Sequence, residues 1–287
     1  MRLSNIFNLF IILILAGALA ACDSSTSSSA DEDPPEPMEF SDIEMDIEIF
    51  QQGGGTVPQF NTKNMAAEVA QYLSEGTKNT DFTPYDFAGL WALAAESIFQ
   101  SYAAFPNVYF NENMWGDGQL EGDTWVWEFS QSVEGESITM RVTAEEVGNM
   151  VNWELRYSFS APGEEDIDNA LMLSAELQSD GTTGTWAIHD FGEADADNTP
   201  AIEFEFMIED DITTFLEMRV FDEVDGNFEN LLYEVVDQTA SLSFLLGDVP
   251  TTYIEWDRES WEGFVESDDY NNGIRSCWDS DFRTTEC

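Results

Sequence analysis

His189 is the only histidine in the 287-residue sequence. Any Ser-His-Asp or Cys-His chemistry would therefore have to use its imidazole. No G-x-S-x-G elbow, H-E-x-x-H zinc helix or nucleotide-binding glycine loop accompanies it. Its place on the polar face of a short alternating stretch, beside Asp190, reads as a surface histidine next to an acid. Paired carboxylates are the other reagents to consider, since two of them can hydrolyse a glycosidic bond. Glu203 and Glu205, two apart, would share a strand face at about 7 Å, but among 58 Asp and Glu such pairs arise by chance. For calcium, placing Gly226 at the sixth position of an EF-hand loop puts Leu232 at the twelfth, where a carboxylate is required. A hairpin turn explains Asp225-Gly226 more simply. Asp195, Asp197 and Asn198 could form a looser calcium site. No catalytic residue, metal ligand or cofactor is assigned from these patterns.

The three thiols are Cys22, Cys277 and Cys287. Before Cys22 stands one charge, Arg2, then an apolar run over residues 9–19 that ends in small residues. A basic start, a short apolar core and a small-residue junction form a secretory signal. The run is shorter than the 18 to 20 or so apolar residues that cross a membrane. The junction Leu19-Ala20-Ala21-Cys22 resembles the lipobox of bacterial lipoproteins. That resemblance implies cleavage before Cys22 and a diacylglycerol on its sulfur, with more than one acyl chain giving a lasting membrane anchor. With Cys22 so used, Cys277 and Cys287 remain as an even pair in an oxidising compartment, where a terminal disulfide is expected ahead of free thiols or metal ligands.

The resulting division is a signal peptide over 1–21, a tether rich in acid, Ser and Pro over 22–39, and one globular domain over 40–287. Asp23 resembles an inner-membrane retention signal of enteric bacteria, while the acidic tract behind it resembles surface-export signals of Bacteroidota lipoproteins. The expected address is the cell envelope, with the outer membrane or cell surface favoured over the inner membrane.

Nine Lys and Arg oppose the 58 acids, for a net charge of −49, and the only lysines are Lys63 and Lys78. With no basic patch to neutralise phosphates, nucleic acid binding is excluded. Self-repulsion on this scale destabilises a compact state unless salt screens it. At about 1 M salt the Debye length is roughly 3 Å. The composition suits a salt-loving organism; a calcium-loaded surface or a binder of cationic partners would share it.

The elements that must position these groups are mostly strands. Residues 40–50 alternate apolar and acidic, which suggests a strand, although Ile43, Ile47 and Phe50 also suit a helix. A helical part is expected over 62–105. Asn64 can cap a short helix over 64–74, and Thr83, Pro84 and Asp86 form the start of a longer one. Its stripe, Phe87, Leu90, Trp91, Ala94, Ala95, Ile98, Phe99 and Tyr102, runs to Pro106. Over 120–265 the period becomes two. Ten strands are predicted, around Trp125–127–129, Ile138–142, Val151–159, Leu171–177, Trp186–188, Ile202–208, Leu216–220, Leu231–235, Leu242–246 and Thr252–256. Asp180-Gly181 and Pro162-Gly163 supply turns, and no helix-length crossover separates consecutive strands, so the sheet must be an antiparallel meander. About ten strands in that order should form a curved sheet or close into a barrel. Residues 266–287 are expected as a tail carrying the disulfide.

On the opposite strand faces stand Glu128, Arg141, Glu154, Arg156, Glu176, Glu203, Glu205, Glu217, Arg219 and Glu234, expected as solvent-facing cross-strand ion pairs. Trp91, Trp125, Trp127, Trp153, Tyr157 and Trp186 lie on the apolar faces. They fill a core, or they line a cavity for an apolar or stacking ligand with the helix as plug. A lipid-anchored meander with an early amphipathic helix resembles the LolA/LolB group of lipoprotein carriers in element order over residues 84–265, with no shared motif. The leading expectation is a lipid-anchored, non-enzymatic interaction or structural module with an acidic surface. A carrier of an apolar ligand comes second and an envelope-polymer hydrolase third.

Overall fold

Apolar side chains at every second position need one dry face, and a meander of hairpins provides it. In the computed structural model the strands are β1 (Gln119–Glu121), β2 (Thr124–Val133), β3 (Glu136–Val147), β4 (Met150–Ser160), β5 (Ile167–Gln178), β6 (Thr183–His189) and β7 (Pro200–Glu209). They continue as β8 (Ile212–Phe221), β9 (Phe228–Val236), β10 (Thr239–Leu246), β11 (Val249–Asp257), β12 (Gly263–Ser267), β13 (Ser276–Trp278) and β14 (Thr284–Thr285). Neighbours in sequence are neighbours in one 14-stranded antiparallel sheet, and that sheet is not closed. The ten sequence-predicted strands are β2 to β11. β12 spans the boundary between the expected meander and the expected tail over 266–287, and the tail itself adds β13 and β14 to the sheet. Of the two expected forms, curved sheet or barrel, no strand pairing among the described residues closes a barrel. The outermost strands are only three and two residues long, and such short edges offer little template for unwanted pairing.

The structure describes residues 34–35, 43–52, 82–109, 118–133, 135–189, 199–210, 212–221, 228–246 and 249–287. The signal, Cys22, nearly all of the tether, the helix expected over 64–74, Asp190, the Asp195, Asp197 and Asn198 group and the Asp225-Gly226 turn lie outside them. Tertiary contacts divide the chain into two units, one including Glu112–Glu176 and Ile188–Pro200, the other Pro37–Asn111, Leu177–Ala187 and Ala201–Cys287.

In the first unit β3 buries Ile138, Met140, Val142 and Ala144, and β4 buries Val151, Trp153, Leu155 and Tyr157. The register sets Val142 opposite both Trp127 and Leu155, so these three form one apolar row across the ladder. At the β5–β6 turn Gly181 takes φ +72°, a left-handed conformation that costs glycine little.

In the second unit two β-bulges re-aim the strands. Between β7 and β8 the register steps at Met207/Ile208, and between β10 and β11 at Phe244/Leu245. Each step leaves one extra threonine, Thr214 or Thr251, whose hydroxyl donates to the facing carbonyl of Met207 (3.4 Å) or Phe244 (3.2 Å). The first bulge changes the phase of β8, so that Thr213 and Leu216 are both buried despite their odd spacing.

Of the strand and helix readings left open for 40–50, helix α1 (Glu48–Gln52) takes the end of the segment, and residues 43–47 before it are irregular. Helix α2 (Pro84–Tyr109) starts as its capping residues require. The Thr83 hydroxyl accepts the Asp86 amide at 3.1 Å and donates to the Asp86 carboxylate at 2.7 Å. The helix does not stop at Pro106 but runs to Tyr109. Proline removes one backbone hydrogen bond and so close to a helix end its fixed φ remains compatible. The deepest face of α2 is Ala88, Ala92, Ala95, Phe99 and Ala103, so small residues let it approach closely while Trp91 and Tyr102 sit half-buried at the margins.

Candidate functional site

The charged face of the second unit is built strand by strand. The register places Glu203 opposite Arg219 and Glu205 opposite Glu217. Further along, Glu234 faces Ser241, which faces Glu255. Glu266 sits opposite Tyr253. Against these acids the same face sets Arg219 and Arg275 among the described residues. Arg219 forks onto Glu217 with Glu203 4.0 Å away, and Arg275 lies 3.2 Å from Glu266. The Glu217 hydrogen bond, more than any other influence, raises the Arg219 pKa and keeps the guanidinium charged. Arg275 also covers the Phe264 ring, 3.8 Å from its centroid. The Tyr253 hydroxyl donates to Glu255 at 2.7 Å. Burial, then that carboxylate, pushes the phenol up to about 12.

In the first unit the expected partners are partly exchanged. Arg141 faces Glu128 in register but its guanidinium reaches Glu121 at 3.2 Å. Arg156, opposite Arg141, turns to Glu154 at 2.9 Å. Two arginines in one cross-strand row repel, and each relieves this by turning to a different acid.

The aromatic residues singled out in the sequence are divided between the two units. Trp127 stacks between Trp125 and Trp153, with centroids 6.3 and 5.8 Å away. A Cβ on Gly118 would come within 2.7 Å of the Trp127 indole, so only glycine fits beside it. Trp125, Trp153 and Tyr157 are buried, Trp127 is half-buried, and Phe129 beyond it is 38% exposed. Trp186 belongs with the second unit, where it lies flat on Phe204, 3.8 Å and 8° apart. Trp91 packs against Phe87 and Phe244. Its indole nitrogen and that of Trp256 are sealed without a hydrogen-bond partner among the described residues.

The expectation of a surface histidine is overturned. His189 is 6% exposed, and its Nε2 lies 2.8 Å from the Ser174 hydroxyl. Alternation would leave it outside with Ala187, yet Trp186, Ala187, Ile188 and His189 are all buried, so both faces of β6 are covered at this end. A strand covered on both faces loses the link between parity and exposure on which the sequence reading relied.

Glu203 and Glu205 lie on the open sheet face, half-buried and exposed respectively. No group of three or more His, Cys, Asp or Glu placed to hold a metal occurs among the described residues. Cys277 and Cys287 are joined as a disulfide, with Cα atoms 5.2 Å apart. The bridge ties β13 to the end of the chain. Beside it Trp278 donates its indole N–H to the Trp261 carbonyl at 2.8 Å and packs edge-on against Tyr85 and Phe50.

Sequence reasoning passed over Asp46, Glu96, Tyr233 and Arg258, which meet in the second unit. Arg258 holds the Asp46 carboxylate at 2.7 Å, and the Tyr233 hydroxyl accepts the Asp46 amide at 2.9 Å. Arg258 was the available signal, since a chain with nine cations has few to spend on a turn. Compared with protein-family models, curated proteins and solved structures, the chain matches none of them.

Proposed function

We propose that this chain is a lipid-anchored cell-envelope protein that works without catalysis, presenting the acidic face of its sheet to cationic partners. The observation that carries this reading is the charge balance on the second unit's open face. Glu203, Glu205, Glu217, Glu234, Glu255 and Glu266 share it, while Arg219 and Arg275 are already held by Glu217 and Glu266. Cations from outside are what such a face lacks. Placement in the envelope rests on the Leu19-Ala20-Ala21-Cys22 junction, and an acyl mass on Cys22 of the native protein is its direct check. Among the described residues no helix is long and apolar enough to cross a membrane.

The test uses poly-L-lysine as the cationic probe. Binding should weaken steeply as salt rises. The triple substitution Glu203→Gln, Glu205→Gln, Glu234→Gln should reduce both affinity and the slope against log salt. Equal binding by the substituted protein would reject this face as the contact.

A second reading has one specific observation behind it. Phe129, 38% exposed, follows Trp125 and Trp127 at every second position of β2, and the Trp125, Trp127 and Trp153 stack beside an exposed ring suits an apolar or stacking ligand. Such binding would persist or strengthen in salt. It would also shift tryptophan emission in the native chain but not in a Trp127→Leu variant.

A further inference from the structure

Residues 43–47 alternate apolar and acidic side chains, and Ile43, Met45 and Ile47 are buried. No described strand pairs with them, so their backbone amides must be satisfied in another way. Three successive amides meet side chains. The Glu44 amide donates to Thr213 Oγ1 at 3.2 Å and the Asp46 amide to the Tyr233 hydroxyl at 2.9 Å. The Met45 amide between them is directed at the Glu96 carboxyl. Arg258 completes the hold through the Asp46 carboxylate. The segment is a strap fastened by side chains, and it can lift without breaking a ladder.

Glu96 is the one acid of α2 under this strap. Its Oε1 accepts the Gln100 side-chain amide at 2.9 Å, while its Oε2 is sealed from water with no hydrogen-bond partner among the described residues. The charged and titratable groups around it are Glu44 and Asp46 on the strap, Tyr233 on β9, and Arg258 in the turn after β11, whose charge is committed to Asp46. Its own helix contributes the neutral Gln100. An ionised Glu96 would sit poorly solvated beside the like charge of Glu44.

We propose that Glu96 is a proton-operated latch for the strap: the neutral carboxyl keeps residues 43–47 seated on α2, β8 and β9, and the carboxylate releases them. Burial raises the Glu96 pKa above its ordinary 4.5 and Glu44 adds to the rise, while the hydrogen bonds from Gln100 and Met45 offset part of it. Lifting the strap removes the cover, the Met45 amide and the Glu44 charge together, and returns Glu96 to water. A carboxyl that is the weaker acid when covered binds its proton more tightly in the seated form. Seating is therefore complete at and below the ordinary carboxylate range and weakens as pH climbs through the pKa of the covered group. Release adds up to about 17 Å of reach to the chain preceding the domain, at roughly 3.4 Å per extended residue. It also opens the apolar seat of Ile43, Met45 and Ile47.

Hydrogen exchange of the mature full-length protein from pH 5 to 8 tests this, with rates divided by the intrinsic rate at each pH. Protection of the Glu44, Met45 and Asp46 amides should fall with rising pH while that of β11 stays level. In Glu96→Gln the strap should stay protected at every pH. Strap protection that is flat in the wild type, or that still falls in Glu96→Gln, overturns the proposal. Should Glu96→Gln fail to fold, Glu44→Gln serves, because removing one acid above Glu96 must move the transition to lower pH. An unmoved transition in that variant overturns it equally.

Discussion

Arg258 Nε lies 2.7 Å from the Asp46 carboxylate and thereby joins positions 212 residues apart in sequence. Both side chains are part-exposed, so the pair sits between a surface ion pair and a buried one. Asp46→Asn and Arg258→Ala should each lower the unfolding free energy by about 1 kcal/mol. The double variant should cost less than the sum of the two, because both remove one interaction. Urea unfolding of all four proteins would measure this, and strictly additive losses would mean that the contact contributes nothing of its own.

Two tyrosines tie stability to alkaline pH. Burial raises the Tyr233 pKa far above the ordinary phenol value of 10.0, and burial with Glu255 pushes Tyr253 up to about 12. A folded-state pKa above the unfolded one gives stability that is complete below pH 10 and is lost as pH rises through the folded-state value. The urea midpoint should decline above pH 10, and absorbance at 295 nm should show tyrosines that ionise late. Tyr253→Phe should remove part of the late class. If all eight tyrosines titrated together near 10 with the fold intact, the assignment would fail.

Trp186, 2% exposed, lies flat on Phe204. Trp186→Ala would leave a large void and should cost about 3–5 kcal/mol. Trp186→Phe keeps an aromatic face there and should lose much less. Thermal melts followed by far-ultraviolet circular dichroism would rank the three proteins, and an alanine variant as stable as the wild type would show that the stack does not hold the core.

The Cys277–Cys287 bridge closes a loop with a sequence separation of 10. In the chain-entropy model such a loop is worth about 3 kcal/mol. Reduction, or replacement of both cysteines by serine, should therefore loosen β13 and β14 first. Exchange protection should drop at Cys277 and Trp278 and hold in β2 to β4, and a uniform loss across both regions would contradict this local role.

Ten of the strands and the start of α2 were legible because each is announced locally. Ile138, Met140, Val142 and Ala144 repeat at two, and Thr83, Pro84 and Asp86 fall where a helix start wants them. Three features were not. β12 to β14 are too short for a period to show. His189 has the parity of a surface residue and is buried because β6 is covered on both faces at that end. Thr213 joins the buried face through a bulge, which breaks the period of two by which the sequence marks buried positions.

Composition, period and turn residues alone determined a mainly β meander, strongly anionic and free of crossovers, because those properties depend on residues within one hairpin of each other. Tertiary structure decided that the sheet stays open. It also chose which acid each arginine takes, and brought Asp46, Glu96, Tyr233 and Arg258 together around a strap. Such meetings depend on register, bulges and the return of distant chain, and the free energy that selects them exists only once those pieces are packed against each other.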